Sequence, residues 1–352
     1  MAKINQPLSI KGITLKNRIG MSPMCQYSAN NGFANDWHFV HYGSRAVGGV
    51  GLILVEATAV APEGRITPFD LGLWNDDQMI AFRKITDFIH QHDAVAGIQI
   101  GHAGRKASHD SPENGGKQLS AEDGGWQTVA PSDIPFEPTE IAPHTLSKVE
   151  IDKLIENFKD SASRANQAGF KVLELHAAHG YLIHQFLSPL SNARDDEYGG
   201  SFENRIRLLI EITNAVQTVW PVEYPLFVRL SATDWSDGGW DLDETVELSR
   251  ILYRLGVNLI DCSSGGNIVT ATIPLAPGYQ VQFSETIRKT GILTSAVGLI
   301  TTAEQINKIL EEEKADLVFL GRELLRNPYF PLLSALKSGV EVTWPKQYKR
   351  AK

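Results

Sequence analysis

Short apolar runs punctuate the 352-residue chain at intervals of roughly forty residues, and each carries polar side chains or glycine towards its end. They are RIGMSPM (18–24), VGLILVEATA (50–59), VAGIQIGHAG (95–104), KVLELHAAHG (171–180), PLFVRLSATD (225–234), NLIDCSSGG (258–266), ILTSAVG (292–298) and DLVFLGREL (316–324). Runs of this length bounded by turn residues predict buried strands, and the spacing leaves room for a helix between each pair. The intervening stretches carry helix signals. Ser147 and Glu150 form a capping-box pattern ahead of the stripe Ile151, Leu154, Ile155 and Phe158. Thr301 and Glu304 suggest another ahead of Ile306, Ile309 and Leu310, while Gly169 and Gly256 stand where left-handed caps end helices. Strands alternating with helices predict an α/β fold with a single (β/α)8 barrel, read as one domain over 1–352. A doubly wound sheet is the alternative, but it wants a glycine-rich turn after the first strand, and MSPMCQY has none.

Three segments exceed a minimal barrel. PLSIKGITLKN reads as a hairpin turning at Lys11-Gly12, placed to plug the N-terminal face. A long loop over 105–144 follows the third run and contains Asn114-Gly115-Gly116, Gly124-Gly125 and Trp126; another over 265–282 follows the sixth. Long loops at the C-terminal ends of barrel strands belong to the face where active sites form. Charge narrows the partners. Lys and Arg number 33 against 41 Asp and Glu, a net −8, and no basic run offers a nucleic-acid surface. No apolar run is long enough to span a membrane, and the N-terminal stretch shows no signal-peptide core. Two distant cysteines, Cys25 and Cys262, fit a reducing compartment, so a cytoplasmic location is expected.

On the barrel reading the polar ends of the strands share one rim. The first run brings Cys25 and Tyr27, the third Gln99 and His102, the fourth His176, His179 and Tyr181, and the fifth Arg229. The seventh and eighth end in Val297-Gly298 and Gly321-Arg322, where such barrels often bind phosphate, although the glycines serve equally as tight turns. A buried guanidinium at Arg229 needs a partner: Glu174 supplies one, and an anionic ligand is the other choice. LELHAAHGY places two imidazoles and a phenol within six residues. A metal site would need a third ligand, and carboxylates are scarce at the strand ends. A structural pair is a second reading. The third has both imidazoles donating to one substrate oxygen that gains negative charge, with Tyr181 supplying a proton. His38 and His41 in the helix after the first run read as structural, and Cys262 as a buried strand residue.

MSPMCQYSA, GLILVEATAVAPEGRIT, GIQIGHAGRKA, ELHAAHGYLIHQFLSPLSNARDDEYGGSFENR and LVFLGRELLRNP resemble the old yellow enzymes, more closely their thermophilic-like ene-reductase branch. The resemblance spans about Leu15 to Arg350. It implies noncovalent FMN, reduced by NADPH or NADH, that passes hydride to the β-carbon of an α,β-unsaturated carbonyl or nitro compound. It further implies that Ser22, Pro23, Met24, Cys25, Ala57 and Gln99 contact the flavin ring. Arg229 would stand at the ring edge that becomes anionic, and Val297, Gly298, Gly321 and Arg322 would hold the phosphate. His176 and His179 would hold the substrate oxygen, Tyr181 would be the proton donor and Tyr27 a second substrate-facing phenol. The 105–143 loop is longer than in compact members of that branch. The C-terminal QYKRAK matches a segment that sends an arginine, here Arg350, into a neighbouring subunit, which implies a homodimer or homotetramer.

Overall fold

A computed structural model describes residues 3–352. The chain opens with the hairpin β1 (Leu8–Ile10) and β2 (Ile13–Leu15), which pair antiparallel around Lys11 at φ +49°. Their alternate apolar side chains, Leu8, Ile10, Ile13 and Leu15, pack with Leu52, Leu54, Val172, Phe227, Leu259, Leu317 and Phe319 of the barrel interior. The hairpin therefore closes one end of the barrel with apolar surface, as its sequence implied.

The barrel strands are β3 (Ile19–Met21), β4 (Leu52–Ala59) and β5 (Val95–Gly101), then, after the short pair β6 (Val129–Ala130) and β7 (His144–Thr145), β8 (Val172–Ala177), β9 (Leu226–Ser231), β10 (Leu259–Ser263), β11 (Leu293–Ala296) and β12 (Leu317–Leu320). Ladders between neighbours are parallel, and β12 pairs with β3 to close the ring. Each strand lies between side chains filling the barrel and the helices outside it, so both faces want apolar residues, which is why the runs are continuous rather than alternating. The outer helices are α1 (Asp36–Val47), α2 (Asp76–Gln91), α3 (Lys148–Gln167), α4 (Leu182–Leu187), α5 (Phe202–Arg205), α6 (Arg207–Gln217), α7 (Leu242–Arg254), α8 (Val281–Arg288), α9 (Ala303–Glu311), α10 (Arg322–Arg326) and α11 (Phe330–Lys337).

Ser147 caps α3 with Glu150 in the expected box, and Gly169 and Gly256 sit at φ +93° and +92°. The cap of α9 differs by one residue: Thr302 and Gln305 form the box instead of Thr301 and Glu304. The sequence TTAEQ offers the same spacing twice, and the box closes on the second threonine.

Of the two long loops, 105–144 folds back through 3-10 turns and the β6–β7 pairing, and Trp126 fastens it. The Trp126 indole donates to the Glu63 carbonyl at 2.9 Å, and its ring lies 5.0 Å from the Arg65 guanidinium, which also faces Trp74 at 5.5 Å. Among the described residues, no helix is long and apolar enough to cross a membrane.

Candidate active site

The C-terminal ends of β8, β9 and β10 meet at matched height, because the ladder registers His176 against Arg229 and Arg229 against Asp261. Asp261 is the partner of the buried guanidinium. Its Oδ2 lies 3.0 Å from Arg229 Nε, and Ser295 Oγ donates to Oδ1 at 2.6 Å. The expected pairing with Glu174 is not made. Glu174 is two residues back on β8, in register with Phe227, and accepts from Gln99 Nε2 at 2.8 Å. Burial, then the nearby Asp261 charge, push the Glu174 carboxyl well up. One cation thus faces two buried carboxyls; burial pushes both up, Glu174 strongly, while the adjoining Arg229 charge opposes it at Asp261. The Arg229–Asp261 contact is an ion pair without hydrogen-bond alignment, and no guanidinium nitrogen of Arg229 makes a hydrogen bond to protein among the described residues. Arg229 lines a cleft of about 310 Å³ shared with Ser263, Tyr279, Gln280, Gly298 and Arg322.

That cleft is built for an anion at its far end. Gly298 sits at φ +120°, and a Cβ there would stand 2.9 Å from Gln280 Nε2 and 3.0 Å from the Tyr279 ring. Leu299 follows at φ +52°. Arg322 is exposed, has no ion pair or side-chain hydrogen bond among the described residues, and lines the cleft with Arg326. Val297 and Gly321 border the same space.

His176, His179 and Tyr181 cluster beside it. Ring centroids lie 5.1 Å apart for His176–His179, 4.8 Å for His176–Tyr181 and 6.4 Å for His179–Tyr181, all edge-to-face. The Ala178 N–H donates to His176 Nδ1 at 3.3 Å. A backbone N–H can only donate, so the ring proton sits on Nε2, which has no protein partner among the described residues. His179 Nε2 lies 2.7 Å from Ser263 Oγ, leaving Nδ1 to face a ligand. Burial, then the Arg229 charge, hold both imidazoles well below their ordinary pKa, so they are neutral at pH 7. Burial pushes the Tyr181 phenol well above its ordinary value, so it keeps its proton.

The turn presenting these groups is unusual. His179 lies at φ +60° and Gly180 at φ +73°. A Cβ on Gly180 would come within 2.3 Å of the Gly266 carbonyl, so only glycine fits. Lys106 bridges the two loops, donating to the carbonyls of His179 (3.0 Å) and Gly266 (2.8 Å), and its ammonium lies 5.3 Å from the Tyr181 ring centroid. Burial lowers its pKa to about 8.

The other expected residues fall as follows. Ser22 is buried, and Pro23, Met24 and Cys25 are half-buried in the segment after β3. Burial, then Asp70 and Glu56, raise the Cys25 thiol well above its ordinary value, so it is not a thiolate. Tyr27 is half-buried at φ +49°, Ala57 lies late on β4, and buried His102 accepts the Gly104 N–H at 3.0 Å. His38 and His41 are buried on α1: His38 accepts the Asn35 N–H, and His41 Nδ1 lies 3.1 Å from Arg45 Nη1, both within the helix's own turns. Cys262 is fully buried, its thiol donating to the Ile260 carbonyl. Among the described residues no three His, Cys, Asp or Glu side chains converge as a metal-binding set. Arg350 is exposed in a 3-10 turn over Lys346–Ala351. Neighbouring tail residues line a groove with Asn17, Gly49 and Asp93, which precede β3, β4 and β5, so the tail runs along the face opposite the histidines.

Sequence reasoning missed Asp261, Ser263, Lys106 and Gln280. The first two lie in DCSSGG, where period two points Asp261 and Ser263 to one face; Lys106 lies in GIQIGHAGRKA, a cation just beyond the third barrel strand.

A model of the NADH:flavin oxidoreductase / NADH oxidase family matches residues 3–341. The chain belongs to this family. It is similar to the NADPH dehydrogenase of Listeria innocua, 49% identical over 354 aligned positions covering 100% of this chain and 99% of the relative. It is 50% identical to the NADPH dehydrogenase of Halalkalibacterium halodurans, over 97% of this chain and 96% of the relative. Among solved structures, morphinone reductase superposes with a TM-score of 0.80 at 27% identity, covering 98% of this chain and 92% of that one. An old yellow enzyme homologue from Zymomonas mobilis gives 0.79 at 27% identity, covering 97% and 94%. Family membership makes the chain an NAD(P)H-dependent flavin oxidoreductase of the old yellow enzyme type on a (β/α)8 barrel. The cleft suits the family's FMN: an unpaired arginine and a positive-φ glycine at one end, and a buried cation at the other.

Proposed function

We propose that this chain is an ene-reductase that binds FMN noncovalently across the whole barrel domain. The observation that carries the proposal is the meeting of two neutral imidazoles and one protonated phenol at the edge of a cationic, glycine-lined cleft. Bound flavin, reduced by NADPH or NADH, supplies hydride to the β-carbon of an α,β-unsaturated carbonyl or nitro compound. His176 Nε2–H and His179 Nδ1–H donate to the activating oxygen, where negative charge grows. Neutral donors suit this task, since their hydrogen bonds strengthen as the charge develops. For His179 to carry its proton on Nδ1, the Ser263 hydroxyl must donate to Nε2 at 2.7 Å in place of its longer contact to Gln280 Oε1 at 3.4 Å. Tyr181 gives its proton to the α-carbon and Tyr27 lines the same pocket. Arg322 with the Gly298 and Gly321 backbone holds the phosphate, with Val297 alongside. Arg229 would face the flavin edge that gains charge, and Ser22, Pro23, Met24, Cys25, Ala57 and Gln99 would line the ring. Because Gln99 Nε2 is engaged by Glu174, its Oε1 is the atom free to accept from the ring.

The tail lies far from its own chain's histidines, which supports Arg350 reaching the site of a second copy in a homodimer or homotetramer. Two free cysteines support a reducing, cytoplasmic setting. Purified protein should be yellow, with one FMN per chain released intact by acid. Colourless protein that takes up no FMN would overturn the assignment.

A further inference from the structure

Beneath the His179–Gly180 turn lies a buried pair that the proposed chemistry leaves unused. The Gly180 N–H donates to His184 Nδ1 at 2.9 Å, so His184 carries its proton on Nε2. That nitrogen lies 3.0 Å from Asp234 Oδ1, with both side chains fully buried, in a contact too bent for a well-aligned hydrogen bond. Asp234 is itself anchored: Ser188 Oγ donates to its Oδ2 at 2.5 Å and the Trp240 N–H at 3.0 Å. Burial alone would raise its pKa, but His184 and these donors outweigh it and keep the group a carboxylate.

The turn this pair supports is one that a non-glycine residue resists. His179 holds a left-handed backbone, and side chains from elsewhere in the fold clamp every backbone polar group of His179 and Gly180. Ser231 Oγ takes the His179 N–H at 2.9 Å, Lys106 donates to its carbonyl at 3.0 Å, and Gln185 Nε2 donates to the Gly180 carbonyl at 2.7 Å. His184 holds the fourth group, and it is the one whose ability to accept depends on its tautomer. A charge opposite Nε2 favours the proton there and keeps the Nδ1 lone pair turned to Gly180. Gly180 stands between His179 and Tyr181, so its placement sets the aim of both.

We infer that His184 and Asp234 are a positioning pair for the reaction, acting through the Gly180 N–H on His179 and Tyr181. The inference rests on the donor roles proposed for those two residues. A displacement of about 1 Å in a reacting group costs on the order of 100-fold. His184→Leu removes the acceptor, and Asp234→Asn removes the charge that selects the tautomer. His184→Asn is the conservative variant, since its Oδ1 occupies the place of Nδ1.

The experiment uses FMN-saturated protein. It reads the stopped-flow rate at which cyclohexenone reoxidises the reduced flavin, and the Kd of a phenol. His184→Leu should lose about 10–100-fold in both, Asp234→Asn should lose in the same direction, and His184→Asn should recover most of the loss. In a His179→Ala/Tyr181→Phe background, adding His184→Leu should change the rate less than about threefold, because a positioning residue has nothing left to position. Equal losses in the two backgrounds, or a His184→Asn no better than His184→Leu, would overturn the inference. If His184→Leu does not fold, the Asn variants decide: wild-type kinetics in Asp234→Asn, or a full loss in His184→Asn, would overturn it. Should His179→Ala/Tyr181→Phe itself retain wild-type rate and phenol affinity, the donor assignment fails instead, and the two failures are told apart.

Discussion

Replacing His176 by alanine removes an imidazole N–H at the candidate site that has no protein partner among the described residues. The Ala178 N–H fixes the proton on Nε2, and burial beside Arg229 keeps the ring neutral. An oxyanion ligand therefore meets an uncommitted donor that need not break an internal bond. Removing such a donor costs about 2.7–4 kcal/mol, or about 10²–10³-fold. The His176 ring also packs edge-on against His179 and Tyr181, contacts that bear on stability, about 0.5–1.5 kcal/mol per aromatic pair, rather than on the Kd. His179→Ala should cost a similar amount, because its engagement with Ser263 is through Nε2 and leaves Nδ1 for the ligand. Titration of the FMN-loaded variants with a phenol, followed by flavin absorbance, gives the Kd directly. Both alanine variants should bind the phenol more weakly than wild type. His176→Gln, whose Nε2 restores a donor at similar reach, should recover part of the loss. An unchanged Kd in His176→Ala, or loss of FMN from a folded His176→Ala, would refute the donor assignment.

Three further outcomes are expected. Tyr181→Phe should slow cyclohexenone reduction by about 10²–10⁴-fold while leaving flavin reduction by NADPH largely intact, and equal losses in both half-reactions would exclude it as the acid. Glu56, buried against Tyr42 and the Gln26 N–H, is raised by burial from 4.5 to about 8. The folded chain therefore holds a proton that the unfolded chain releases. Glu56 should contribute a fall in stability as pH climbs from about 5 to 8, by at most roughly 5 kcal/mol, and Glu56→Gln should flatten the slope by that share in urea unfolding with FMN held saturating, leaving what Glu174 and Asp70 contribute; curves parallel to wild type would contradict it. Deleting 344–352 should raise KM for enones and lower the mass by light scattering, whereas Arg350→Ala should raise KM alone, because Trp344 stays buried and Tyr348 still packs on Tyr329; an unchanged mass and KM in the truncation would remove the shared-site idea.

Strands and rim were legible because buried strands in this barrel read as unbroken apolar runs and polar residues cluster at one end of each. What escaped was lateral. The partner of Arg229 depends on how far β9 is staggered against β8 and β10, and stagger leaves no local trace in a single sequence. Glu174 looked suitable by period two on its own strand, yet the ladder places Asp261 opposite Arg229. Trp126 is visible in the long loop, but only the folded loop shows Arg65 between two indoles. The α9 cap missed by one residue because TTAEQ satisfies the pattern in two registers.

The most direct trial of ene-reduction is a two-step anaerobic experiment. FMN-loaded protein is bleached with one equivalent of NADPH or NADH, then mixed with an enone while flavin absorbance is followed. The yellow colour should return with one equivalent of saturated product formed per flavin. A reduced flavin that persists with enones, maleimides and nitroalkenes alike, yet reoxidises in air, would contradict it.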